Sequence, residues 1–253
     1  MKKTNYSNIA DRYDKNKFRQ DIKPDYDLEA CINNCDREKI IVLDLACGTG
    51  IYLDRQTKFF QDKRVEWHGI DASKEMLNRA KTKVDNVLFK NGLAEELPYD
   101  SSYFDFISNN YAFHHFEKKP QALDEIARVI KKDGIFKMHN IAIHEMPKWW
   151  VYQFFPSAYH EDLKRFWQKE LIFKELSERD FEVEIKLDYK MKETKISSLM
   201  NYAYNRDISA ITIISDKAYE EGLERMEYNL KKNPNAVIIN EYTDIFFIAR
   251  KRV

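Results

Sequence analysis

The chain has little of what would tie it to a membrane, to nucleic acid or to an oxidising compartment. No apolar run in its 253 residues approaches the roughly 20 needed to cross a bilayer. Neither sign of charge is in excess: 42 Lys and Arg offset 42 Asp and Glu, so the formal net charge is zero. The sequence-wide attraction to phosphate that marks nucleic-acid binders is therefore missing. Cysteine is scarce, with Cys31, Cys35 and Cys47 alone. The N-terminal MKKTNYSNIADRYD has no apolar stretch behind its lysines to serve as a secretory leader. A reducing, cytoplasmic setting is the expectation. Cys31 and Cys35 would share one helix face, yet no further ligand cluster accompanies them, so no metal site is expected. Six glycines and six prolines, scattered, leave no flexible linker, and there is no internal repeat.

What is present alternates. Strand patterns at Ile40–Ala46, Val65–Asp71, Asn86–Lys90, Tyr103–Asn109 and Gly134–Ile141 are separated by helical patterns near 50–61, 73–84 and 117–131. Ser73 precedes the second helix as an N-cap, Pro120 lies in the first turn of the third, and Gly134 follows that helix as its C-terminal glycine. Strand and helix in strict alternation imply an α/β fold. Its Rossmann-like, mostly parallel sheet carries helices on both faces, and ligands bind beyond the carboxyl ends of its strands. After residue 145 the composition turns aromatic, in MPKWWVYQFFPSAYHEDLKRFW. One domain over 1–253 is expected, with a cofactor-covering segment at 1–30 and a binding core at 36–145. Segments 146–166 and 191–214 read as helical cap insertions, and 167–190 and 215–253 supply the final helices and strands.

The stretch IIVLDLACGTGIYLD, residues 40–54, holds the first chemical signal. Gly48 and Gly50 permit a tight turn and close approach of a ligand to the backbone. Asp71 ends the next strand in WHGID, where a carboxylate accepts bonds from both hydroxyls of a ribose. The third glycine of a dinucleotide fingerprint is absent, because the run is Gly48-Thr49-Gly50-Ile51-Tyr52-Leu53. Asp44, ahead of the turn, would repel a pyrophosphate and suits a ligand with an ammonium and a sulfonium, which is S-adenosylmethionine.

VLDLACGTG, then GIDASKEMLNRAK, then GLAEELPYDSSYFDFISNNYAFHHF, then EIARVIKKDGIFKM together resemble the class I S-adenosylmethionine-dependent methyltransferases. The likeness is to the small-molecule group that includes the ubiquinone/menaquinone-biosynthesis-like enzymes, methyltransferase type 11. It implies a seven-stranded sheet with EVEIKLDYK and EYTDIFFIARK as the sixth and seventh strands, the last inserted antiparallel. It also implies that Asp44 serves the methionine ammonium and that Ala46, Gly48 and Gly50 shape the loop under the cofactor. Asp71 would hold the ribose, Ala72 and Met76 lie along the adenine, Ala94 meet its edge and Asn109 lie near the methionine portion. Tyr13, with Tyr6, would close over the pocket. The family often has an acidic residue where this chain has Leu93, so Glu95, a backbone carbonyl or water must accept from the adenine amino group. S-adenosylhomocysteine would be the product. Asp71→Ala is expected to weaken cofactor binding by roughly 1.5–3 kcal/mol while the fold persists.

On the acceptor side, His114, His115 and His144 are the candidate bases, while His139 inside a strand reads as a core histidine. Trp149, Trp150 and Tyr152 would line a pocket for a flat or cationic substrate, and Arg206 would meet an acidic one. The expected activity is methyl transfer to oxygen or nitrogen of a small molecule, without nucleic acid or membrane as partner. Two rival readings are a non-catalytic cofactor-binding module and an NAD(P) or nucleotide-sugar oxidoreductase. A third is an enzyme that modifies RNA or protein.

Overall fold

A computed structural model describes residues 22–62 and 64–252. In chain order the elements are α1 (Tyr26–Asn33), β1 (Ile40–Leu45), α2 (Ile51–Phe59), β2 (Val65–Asp71), α3 (Lys74–Lys83), β3 (Val87–Asn91), β4 (Phe104–Asn110), α4 (Lys119–Val129) and β5 (Ile130–Ile141). There follow α5 (Trp150–Phe154), α6 (Pro156–Arg165), α7 (Lys169–Ser177), β6 (Phe181–Lys195), α8 (Met200–Tyr204), α9 (Ser209–Thr212), α10 (Asp216–Lys232) and β7 (Val237–Lys251). The strands form one seven-stranded sheet in the order β3-β2-β1-β4-β5-β7-β6. β1 pairs parallel with β2 and β4, β2 with β3, and β4 with β5. β7 runs the other way. Ala142 N donates to Thr243 O, while the Arg250 guanidinium reaches Asp133 O at the opposite end of β5. Sequence order departs from spatial order at β1, whose neighbours are β2 and β4, and such a switch point opens a crevice at the strand ends.

The expected helix signals hold in part. The Ser73 hydroxyl accepts from Met76 N at 3.2 Å and caps α3, and Pro120 occupies the first turn of α4. Gly134 does not end a helix. α4 stops at Val129, Ile130 is already extended, and Gly134 lies inside β5 at a register break, where Phe104 pairs with Ile130 but Phe106 with Ile135. A Cβ at 134 would stand 2.7 Å from Ile130 Cγ1 and 2.9 Å from Lys131 O. This glycine serves close backbone approach in a bulge.

The chain divides into two compact units. The first holds 22–140, 170–186 and 246–252 of the described residues. Its core gathers Leu28, Ile40, Val42, Leu53, Trp67 and Phe106, among others, with Cys31 and Cys35 packed at its border. All three thiols are free, and burial pushes that of Cys31 up to about 11, so it is an inert packing group. The second unit holds 141–169 and 187–245. Both expected insertions fall in it, together with α10 and parts of β6 and β7. Its core is aromatic, built on Trp149, Trp150, Phe154, Phe155 and Tyr219.

Candidate functional site

The carboxyl end of β1 gathers three left-handed residues within five positions. Ala46, Gly48 and Gly50 all take the left-handed region, with φ of 60°, 54° and 73°. The two glycines answer different needs. A Cβ on Gly50 would meet Ala80 Cβ at 3.1 Å and Val84 Cγ2 at 3.4 Å, so Gly50 lets the start of α2 pack onto α3. A Cβ on Gly48 would meet nothing within 4 Å. That backbone faces open space, which is what a ligand approaching the main chain requires.

Asp71 at the end of β2 holds this turn in shape. One carboxylate oxygen accepts from Gly48 N at 2.8 Å and the other from Ser73 N at 2.8 Å. Each oxygen keeps a second lone-pair direction for a ligand hydroxyl. Asp71 thus braces the loop and ties it to Ser73, the N-cap of α3, in addition to any ligand role, which changes the expectation for its removal. Asp71→Ala should cost about 1–2 kcal/mol of folding stability as well as cofactor affinity. A thermal melt of the variant equal to that of the native protein would show that the brace is dispensable. Asn91 Nδ2 donates to the carbonyls of Asp71 and Ala72 at 2.8 and 3.0 Å and fixes the same corner from β3. Met76 is buried on α3, whereas Ala72 is exposed.

Asp44 is only 2% exposed, and no cationic side chain of the described residues pairs with it. Its Oδ1 accepts from Ser108 Oγ at 2.9 Å and from Asn110 Nδ2 at 3.5 Å, both on the adjacent strand β4. Burial pushes its carboxyl up to about 7, against the pull of those two donors. Nearby, the hydroxyl of buried Tyr52 donates to Asp25 Oδ2 at 2.9 Å. Lys137 on β5 closes the chain at 2.6 Å from Asp25 and 2.7 Å from Asp27. Asn109, fully buried, donates to Leu45 O at 2.9 Å, and its Oδ1 has no partner among the described residues.

The structure therefore links Asp44, Gly48, Asp71 and Asn109 around the ends of β1, β2 and β4. Ala94 is buried in the turn after β3. Leu93 is 56% exposed, and Glu95 is engaged elsewhere, accepting from Glu117 N and Lys118 N ahead of α4. Tyr13 and Tyr6 lie outside the described residues. Sequence reasoning missed Ser108 and Asn110. The signal was a buried carboxylate in need of donors, but which residues supply them depends on the β1–β4 register that pairs Asp44 with Ser108.

The acceptor-side candidates are dispersed. His114 and His115 form a single turn after β4 with their rings 3.9 Å apart. His144, in a similar turn, belongs to the second unit, and its Nε2 has no partner among the described residues. His139 is half-buried and stacked between Tyr111 and Phe246 at centroid distances of 4.3 and 4.2 Å. Trp149 and Trp150 are 6% and 5% exposed and Tyr152 is equally buried, so these rings fill the core of the second unit. Tyr152 also donates to buried Asp162 at 2.8 Å. Arg206 is occupied by Asp216 at 2.9 Å and lies over the Tyr219 ring at 3.7 Å. These four side chains have structural partners, and no substrate role is derived for them.

Residues 43–138 match the family model described as a methyltransferase domain. An uncharacterized methyltransferase of Bacillus subtilis, YcgJ, is 40% identical over 100 residues, 38% of each chain. The ubiquinone/menaquinone biosynthesis C-methyltransferase of Campylobacter jejuni is 36% identical over 102 residues, 39% of this chain and 43% of that one. The chain thus spans about two fifths of the length of these curated relatives. A putative methyltransferase from an antibiotic biosynthesis pathway of Anabaena variabilis superposes with a TM-score of 0.66 at 21% identity, covering 88% of this chain and 97% of the other, a likeness of fold. No helix among the described residues is long and apolar enough to cross a membrane. The left-handed turn after β1, the carboxylates ending β1 and β2, the sheet order and these matches agree: residues 43–138 match a methyltransferase domain, similar to that of the ubiquinone/menaquinone-biosynthesis C-methyltransferases, and the sheet has the Rossmann-like methyltransferase fold.

Proposed function

We propose that the protein transfers a methyl group from S-adenosylmethionine to a small-molecule acceptor. The observation that carries this reading is the buried carboxylate of Asp44, without a cationic partner among the described residues, beside an open, left-handed glycine backbone. A carboxylate without a counter-ion in such a place is costly unless a ligand supplies the positive charge. The ammonium of the methionine portion meets that need. Asp44 would hold it, with Asn109 offering a free carbonyl oxygen. The Gly48 backbone would admit the ligand, and Asp71 would accept from the ribose hydroxyls. Bound there, the cofactor supplies a methyl on a sulfonium, for which the leaving group is neutral. The protein's task is alignment of the acceptor and exclusion of water, and a base is required only if the acceptor must first lose a proton. The Campylobacter relative is named a C-methyltransferase, so carbon stands beside oxygen and nitrogen as the atom to be tested.

Isothermal titration decides the cofactor. S-adenosylhomocysteine is expected to bind and NAD to give no heat. The reverse result would end this reading in favour of an oxidoreductase. Transfer of a labelled methyl from the cofactor into a metabolite extract tests activity, and binding without any incorporation would favour the non-catalytic module.

A further inference from the structure

β6 closes one side of the sheet, and among the described residues no strand pairs with its outer edge. Its pairing with β7 fixes which backbone groups look outward. Asp180 O accepts from Arg252 N at one end, and Ile196 N donates to Ala236 O at the other. Both contacts belong to one antiparallel register without a slip, in which even-numbered residues of β6 exchange hydrogen bonds with β7. The N–H and C=O groups of the odd-numbered residues from Val183 to Glu193 therefore point to the open edge. The side chains alternate too. Val183, Ile185, Leu187, Tyr189 and Met191 share one face, while Glu182, Glu184, Lys186, Asp188, Lys190 and Lys192 share the other. Leu187, Tyr189 and Met191 are 47%, 50% and 59% exposed, an apolar stripe on a long, unbulged edge strand of the kind that templates further pairing.

We propose that this edge is a homodimer interface, with two copies of β6 pairing antiparallel about a two-fold axis through Leu187. The order of charges selects this register. About Leu187, Lys186 meets the partner's Asp188, Glu184 meets the partner's Lys190, and Glu182 meets the partner's Lys192. Symmetry repeats each contact, and none is like-charged. Moving the axis by one residue, to Lys186 or to Asp188, sets Glu184 against the partner's Asp188 or Lys186 against the partner's Lys190. On the other face Ile185 meets the partner's Tyr189 and Val183 meets the partner's Met191, so the stripe covers itself. The interface buries the outward N–H and C=O groups in a ladder and leaves no free edge on this side of the sheet.

Sedimentation equilibrium on the full chain tests this, independently of methyl transfer. The native protein is expected to dimerise. Glu182→Lys alone and Lys192→Glu alone should each weaken the dimer roughly tenfold or more, because each turns two attractive contacts into repulsive ones. Together they should restore the native dissociation constant to within about threefold. Neither side chain has an ion pair among the described residues, so the exchange breaks none there. A native protein that stays monomeric at about 100 μM overturns the proposal, as does a double variant no tighter than the singles. Leu187→Pro is a second check. Its N–H faces outward, so proline removes no bond to β7, and a monomer with native circular dichroism is expected. A persistent dimer, or loss of the native spectrum, would show that this register of β6 is wrong.

Discussion

Asp44→Asn is expected to weaken cofactor binding strongly and, at pH 8, to make the ligand-free protein more stable. The two effects have one cause. Among the described residues the almost fully buried carboxylate has two neutral donors and no cationic partner, and burial pushes its pKa up to about 7. In the unfolded chain an aspartate titrates near 4. Between about pH 4 and 7 the folded state therefore binds more protons than the unfolded state, and stability falls as pH rises through that window. Above it the ionised group costs about 2–4 kcal/mol, which an isosteric amide removes. The same ionised group is what a cationic ligand needs, and losing it should weaken binding by at least about 2 kcal/mol. Thermal melts from pH 5 to 8 should slope downward for the native protein and flatten in the variant. Titration of the native protein with S-adenosylhomocysteine should lose affinity below pH 7, where Asp44 is neutral. Parallel melting curves for the two proteins would refute the argument.

The two glycines of the β1–α2 turn should separate folding from binding. Gly50→Ala puts a Cβ 3.1 Å from that of Ala80 at a φ of 73°, so both strain and overpacking apply, and a loss of about 2–3 kcal/mol is expected. Gly48→Ala has the same left-handed strain, about 1–2 kcal/mol, but open space around the new methyl. That variant should stay folded and lose cofactor affinity tenfold or more, since the methyl occupies the space a ligand needs. Denaturant unfolding and calorimetry together read both quantities. If Gly48→Ala binds like the native protein, the open space beside it is not the cofactor's.

The sheet was legible because its signals are local. Buried runs, the Ser73 cap and the glycine turn each depend on a few neighbouring residues, and five strands fall within a few positions of their expected bounds. Gly134 misled because a glycine after a helical pattern reads the same whether it ends the helix or relieves a bulge, and only the approach of Ile130 and Asp105 O tells them apart. Asp44 was legible as a strand-end carboxylate, but Ser108 and Asn110 were not, since parallel register sets which residues face it. The rings of Trp149 and Trp150 are the same chemistry whether they line a pocket or fill a core. Their burial with Ile211 and Met226 comes from helices distant in sequence.

The brace that Asp71 places on Gly48 has a consequence for how a ligand is received. Ala46 and Gly48 adopt their left-handed conformations with the turn already tied to β2 and α3, so folding, and not ligand capture, meets the cost of that geometry. Such a cradle resembles a mould set before casting. The ligand would find its shape waiting, little chain entropy would be lost on arrival, and selectivity would rest on rejecting molecules that do not fit.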